Sequence, residues 1–247
     1  MLVCNALIVS AQANSGANDP VPNQGFLFTV QFAYHTPLFD MRERFQPFNA
    51  AGAAVYYKTK SNFHFGVDYD WFYGQKVKYT HLFDDFENDQ GQITDEDGNY
   101  SIYRLNIRGH YLTANMGYLY RLNKKEPNSG IIFIAGTGLL LHRISIQAPT
   151  FKVPQVNGEY AKGYDHLTYG IATKQFIGYQ RAHIYHRFRF RCGIEFTQGF
   201  TQGRRTWDFA SNSSGKDDRF DGTMSLRFGV ILPVYTKDAD DEEFFID

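Results

Sequence analysis

The sequence predicts an all-β chain, an eight-stranded antiparallel up-and-down transmembrane β-barrel, and three observations lead there. Eight segments carry period-two alternation or strong β composition. The connectors between them alternate in length, with "TKSN", "NKKEPNS" and "QRAHI" short and the stretches around 37–48, 78–99, 148–165 and 205–218 long. Aromatic residues make up 17% of the 247 positions, yet mean hydropathy is −0.42 and no apolar run approaches the length of a membrane-crossing helix. Many aromatics without high hydropathy is what alternating membrane strands produce, because every second residue faces away from lipid.

The chain opens on "MLVCNALIVSAQANSG", an apolar run ending in Ala11-Gln12-Ala13. That pattern matches a signal peptide over residues 1–13, cut before Asn14, although a basic leading segment is missing, as if the true start lay further upstream. Residues 14–25 then form an N-terminal periplasmic segment. Cys4 lacks the small preceding residue of a lipoprotein signal, and its removal leaves Cys192 alone, with no intramolecular disulfide to form. Strands are expected near 26–36, 49–59, 62–77, 100–121, 129–147, 166–181, 184–204 and 219–236, so the barrel covers 26–236 and an acidic tail, "DADDEEFFID", closes the chain at 237–247.

The first strand sets Phe28, Val30, Phe32 and Tyr34 against Thr29, Gln31, Ala33 and His35. In the third, Phe63, Phe65, Val67, Tyr69, Trp71 and Tyr73 alternate with His64, Gly66, Asp68, Asp70 and Gly74. The last sets Met224, Leu226, Phe228, Val230, Leu232 and Val234 against Thr223, Ser225, Arg227 and Gly229. The fourth strand is ambiguous: Tyr103, Leu105, Ile107 and Tyr111 share one parity, and Leu112, Met116, Tyr118 and Tyr120 the other, which predicts a bulge near Tyr111. The sixth, "TYGIATKQFIGYQ", is too mixed to orient by pattern, and Lys174 is placed inside because lipid penalises it.

Which face meets water is the question raised by "HRFRFRCGIEFTQGF", His186 to Phe200, where arginine and phenylalanine alternate; the strand alone does not decide it. In a soluble barrel the phenylalanines would fill the core, and in a membrane barrel they would face lipid. Strands of 15 to 20 residues exceed the soluble mode of about 5–6. An arginine facing lipid at the midplane costs about 2–4 kcal/mol, so the arginines are placed inward. The resulting lumen charge network comprises Asp68, Asp70, Arg104, Arg108, Arg187, Arg189, Arg191, Glu195 and Arg227. In simple register Asp70 lies opposite Arg108, and Asp68 opposite His110. Eight strands leave a lumen just wide enough for side chains to fill, so these bulky charges plug it and compensate one another.

"NFHFGVDYDWFYG", "YLTANMGYLYRL", "GYDHLTYG", "EFTQGFTQGRR" and "SLRFGVILPVYTK" together make the chain resemble a small outer-membrane β-barrel of the OmpA-like, OmpX-like or OmpW-like kind, particularly the barrels widespread in Bacteroidetes. The resemblance covers essentially the whole chain after the signal segment. It implies an outer-membrane location with both termini periplasmic and the loops near Asp89, Val156 and Asn212 extracellular. One departure is the acidic tail, since such barrels end on a terminal aromatic.

No reaction is implied. The acidic run with Asp84, Asp85, Glu87, Asp89, Asp95, Glu96 and Asp97 lacks the ligand order of an EF-hand and reads as a solvated loop. The eight histidines have no metal-like spacing. "SNFHFG" lacks the order and placement of the His/Ser pair of an outer-membrane lipid deacylase, and no catalytic triad is recognisable. No cofactor is expected. With 25 basic and 26 acidic residues there is no basic excess, which excludes nucleic acid as a partner. The expected partners are outer-membrane lipid and other outer-membrane or periplasmic proteins. The expected function is a non-enzymatic, structural or interactional membrane barrel, such as an accessory subunit of a secretion or barrel-assembly machine. The competing classes are a lipid-modifying enzyme, a small-solute channel and a soluble ligand-binding barrel.

Overall fold

The computed structural model describes residues 23–78, 82–83, 87–90, 92–123, 126–147, 153, 158–182 and 187–236. The expected signal segment, the acidic tail, Asp84, Asp85 and Val156 lie outside them. Eight strands form the wall: β1 (Gly25–Phe39), β2 (Phe48–Lys58), β3 (Phe63–Gly74), β4 (Arg104–Arg121), β5 (Ser129–Gln147), β6 (Thr168–Arg181), β7 (Phe190–Gly203) and β8 (Asp218–Tyr235). Each pairs antiparallel with its neighbours in sequence, and β8 pairs back on β1 to close the barrel. No described helix is long and apolar enough to cross a membrane.

The register shows how the ring closes. Val30 lies opposite Ala53, and the ladder continues through Tyr69, Leu112, Leu139, Ile171, Phe200 and Phe220. On the β1–β8 seam Asp221 faces Phe39, so Phe220 falls level with position 40 and one circuit displaces the register by ten residues. Such a shear obliges the strands to tilt from the barrel axis, by about 35–45° in barrels of this kind. Gly25 and Tyr235, which flank the seam, lie at the end of the short connections. The four longer connections lie at the other end and carry a helical turn (Met41–Arg44) and a two-residue hairpin, Ile93–Thr94 with Tyr100–Ser101.

Alternation along the strands sorts side chains as pattern reasoning expects. On β1 the burial alternates without interruption from Gly25 to Leu38, Leu27, Thr29, Gln31, Ala33 and His35 being buried while Phe26, Phe28, Val30, Phe32 and Tyr34 are exposed, Val30 by 74%. The outer wall is therefore an apolar band that runs on through β3, β4 and β8. Aromatic pairs edge it: Phe26 with Tyr57 (5.3 Å between ring centroids) and Phe63 with Tyr118 (5.1 Å) toward the short turns, Trp71 with Tyr73 (5.2 Å) toward the long loops. The band is interrupted on β5–β7, where Thr137, Thr173, Gln175 and Gln198 face out. Their hydrogen bonds turn back onto the wall, from Thr137 to the Ala172 carbonyl (3.2 Å) and from Gln175 to Thr173 (3.3 Å).

Two apolar clusters close the lumen. A floor near the short turns contains Leu27, Tyr56, Leu119, Ile132, Phe176 and Ile231. A roof near the long loops joins strand residues Phe48, Phe72, Tyr111 and Ile144 to Met41, Phe45, Leu82, Phe83, Ile93, Val153 and Tyr164 from the connections. Phe83 packs edge-on to Tyr103 (4.9 Å) and against Tyr164 (5.0 Å), and Tyr164 in turn against Phe209 (5.4 Å), so successive loops hold one another.

The expected bulge near Tyr111 is absent: the β4 ladder runs unbroken from Arg104 to Arg121 against β5 and through Tyr111 against β3. Odd-numbered residues such as Tyr111, Thr113 and Asn115 point inward along it, so Arg104 and Arg108 point outward, contrary to the inward placement drawn from sequence. Leu105 and Ile107 share the inner parity because the interior at that height is roof and hence apolar.

Candidate functional site

Between floor and roof lies a belt of buried charge assembled from five strands. Asp70 on β3 accepts from both terminal nitrogens of Arg227 on β8, at 3.0 and 2.8 Å, and from the side-chain amide of Gln31 on β1 at 3.1 Å. Arg227 also donates to Glu195 on β7, 2.7 Å away. Lys174 on β6 is ion-paired with Asp68 on β3 and sits 3.8 Å from the second Glu195 oxygen. Strands β3 and β6 place these groups inward by period two. Gly52 lies opposite Asp70. A Cβ there would come within 2.3 Å of an Asp70 carboxylate oxygen, so only glycine leaves the carboxylate its room.

Toward the floor, Arg191 donates to the Gln180 side-chain oxygen through Nε (3.1 Å) and Nη2 (2.7 Å), with its guanidinium 4.6 Å from the Tyr56 ring centre. Counting Arg191, three carboxylates meet three cations, and each charge has a partner of opposite sign or a strong acceptor. Such a belt gives each charge that burial penalises at least one polar partner.

Of the network expected from sequence, Asp68, Asp70, Arg191, Glu195 and Arg227 lie inside and come together. Arg104 and Arg108 are on the outer surface above the apolar band. Arg187 and Arg189 precede the paired part of β7, Arg187 exposed and Arg189 half-buried at the short-turn mouth, where its carbonyl accepts from Ile231. The opposition of Asp70 to Arg108 is corrected by the ladder: Asp70 faces Tyr111, Asp68 faces Thr113, and Arg108 faces Tyr73. Asp70 finds its cation across the lumen instead. Lys174 is inside, as expected. Gln180 and the cross-lumen pairing, including Gln31's bond to Asp70, were invisible to strand-by-strand reading, since nothing local links positions 70 and 227.

A second buried cluster ties wall to roof. Asp221 on β8 accepts from His142 Nε2 at 2.9 Å, from the Thr201 hydroxyl at 2.5 Å and from Arg219 at 3.2 Å, and Arg219 donates to the Asp40 carbonyl at 2.7 Å. His142 and Asp221 have no exposed surface, so this His–Asp–Thr set acts as a clamp between wall and roof. Beside it, Arg44, His166, Thr168, Arg205, Trp207 and Asp208 line a space of about 10 Å³, room for one water. Burial, and next the charge of Arg44, push the His166 imidazole down to about 4, so it is neutral at pH 7. Its Nδ1 lies 3.4 Å from Asp208.

No protein-family model matches the chain, and no curated protein sequence matches it. Among solved structures the chain is similar to Neisserial surface protein A, with 12% identity and a TM-score of 0.41 over 83% of this chain and 96% of that one. It is similar to Ail, the attachment invasion locus protein of Yersinia pestis, with 13% identity and a TM-score of 0.41 over 85% and 99%. The outer membrane protein OprG of Pseudomonas aeruginosa gives 11% identity and a TM-score of 0.34 over 86% and 98%.

Proposed function

We propose that the protein is a non-enzymatic integral outer-membrane barrel whose lumen is closed and whose role, structural or interactional, is exercised through its long loops. One observation carries this reading: the barrel is apolar outside and charged inside. Isolated soluble proteins rarely expose a contiguous apolar patch beyond a few hundred Å², whereas lipid satisfies such a surface over the full circumference. The floor and roof clusters fill the lumen at both ends, which argues against a diffusion channel. Among the described residues no open groove lies beside the charge belt, which argues against an enzyme in the wall. On this reading both termini are periplasmic and the long loops extracellular.

The loop end exposes Tyr100, Ile102, Tyr160, Trp207 and Phe209 from three separate connections. Exposed aromatic side chains above a rigid base are among the residue types that anchor protein interfaces, and Phe209 is held in place by its contact with Tyr164. They suit a surface protein or an accessory subunit of a larger membrane assembly, with outer-membrane lipid around the wall and another outer-membrane or periplasmic protein as partner. Carbonate extraction tests the membrane reading: the protein is expected in the pellet, migrating faster unheated than boiled. Release into the carbonate supernatant overturns it. Conductance steps in a planar bilayer would overturn the closed lumen alone.

A further inference from the structure

We propose that Arg108 and Arg143 form a seat for the phosphate of a membrane-lipid headgroup on the outer rim of the barrel. The proposal rests on the membrane reading above. The two arginines lie directly opposite each other on β4 and β5. Both point outward, two residues beyond His110 and Leu141 toward the long-loop end. Opposed like charges destabilise a strand pair, and among the described residues the conflict is not removed: Arg108 donates only to the Ile107 carbonyl, 3.1 Å away. Among the described residues the acidic group that Arg143 reaches is Asp165, at 3.9 Å. That carboxylate is already gripped through both oxygens by Arg205, a pairing that raises the Arg205 guanidinium above its usual range. Two guanidiniums, Arg143 and Arg205, thus share one carboxylate, Arg108 has no carboxylate partner among the described residues, and a cation excess faces outward.

The position fits a lipid phosphate. Arg108 is held over the Trp71 ring, 5.6 Å from its centre, and Trp71 stacks on Tyr73, which itself lies opposite Arg108. Further round, Arg204 lies 4.0 Å over the Tyr169 ring. Aromatic rings mark the membrane interface, and a guanidinium seated on their outer side sits at headgroup height. Two guanidiniums converging from adjacent strands present the forked donors that match phosphate oxygens. The anion relieves the repulsion and the rings limit the motion of the arginine, so the site is prepared before the lipid arrives.

The test is native mass spectrometry of the detergent-solubilised protein titrated with dioleoyl phosphatidic acid and, separately, dioleoyl phosphatidylcholine. Phosphatidic acid is expected to be retained preferentially. The double variant Arg108→Gln, Arg143→Gln should bind it roughly thirtyfold more weakly, since each basic side chain at a membrane surface contributes roughly fivefold to holding an anionic lipid. Arg121→Gln, at the opposite rim, should bind as the parent does, and faster gel migration before heating checks that each variant is folded. Equal binding by parent and double variant overturns the seat. Displacement of the lipid by inorganic phosphate at matching concentration also overturns it, assigning the arginines to a free anion. Retention of neither lipid, together with carbonate solubility, would instead sink the membrane reading on which the seat depends.

Discussion

Arg227→Met leaves Asp70 and Glu195 buried with only Lys174 nearby, and the cost can be worked from the geometry. At 2.8 Å and an effective dielectric near 20, one unit charge pair attracts by about 6 kcal/mol. Much of that offsets desolvation, and removing one partner of a buried pair costs about 3–5 kcal/mol in practice. Against a total stability of about 5–15 kcal/mol, such a loss moves the urea midpoint of the protein in lipid vesicles far down, followed by tryptophan fluorescence. Asp70→Asn is expected to cost less, about 1–3 kcal/mol, because Glu195 still holds Arg227. The double variant should recover part of the sum, with a coupling of about 2 kcal/mol. Arg108→Met, the partner suggested by simple register, should show no coupling to Asp70. A loss under about 1 kcal/mol for Arg227→Met, or strict additivity in the double variant, would refute the cross-lumen pairing as a stabilising contact.

Gly52→Ala drives a methyl into the Asp70 carboxylate and the Tyr69 carbonyl, and overpacking of this kind should cost about 1–3 kcal/mol in the same urea assay, less in an Asp70→Asn background. Phe45→Ala empties a fully buried position in the roof; about 3–5 kcal/mol of local stability is lost, read as new protease cuts in the loops while the faster gel migration of the unheated barrel persists. His166 titrates at about 4 in the folded roof against 6.5 in the unfolded segment, so the unfolded segment binds the extra proton between these values. Its contribution is complete above pH 6.5 and is lost as pH falls toward 4. Hydrogen exchange over residues 158–167 and 204–217 should therefore quicken from pH 7 to 4.5 by more in the parent than in His166→Gln, once corrected for intrinsic rates.

The strands were legible because an apolar outside over a polar inside makes period two nearly absolute: β1, β3 and, from Thr223 onward, β8 follow it closely, and their limits fall within three residues of those read from sequence. Legibility failed on β4 for a specific reason. Assigning apolar residues to the outside holds only at heights where the interior is polar. Above the charge belt the loops fold inward as a roof, so Leu105, Ile107 and Tyr111 are apolar and inside. The same strand's Tyr118 and Tyr120 are apolar and outside, and one parity rule cannot serve both ends. The segment before β7 failed differently: alternation continues from Arg187 to Phe190, but pairing begins only at Phe190, because alternation does not report where a neighbour runs out. The charge partners were hidden because they meet across the lumen, a relation fixed by the shear of the closed ring and not by neighbouring residues.

That shear links the chemistry of the lumen to the order of events in assembly. Asp70 belongs to the third strand, its guanidinium partner to the eighth, and its amide donor to the first. Glu195 can meet Arg227 within the β7–β8 hairpin, but until the terminal strand zips against the initial one Asp70 has no arginine to meet and must stay hydrated. For Asp70, seam closure and charge neutralisation are therefore the same step. A ring left open at the seam keeps that carboxylate wet, while the finished ring buries it together with its partner.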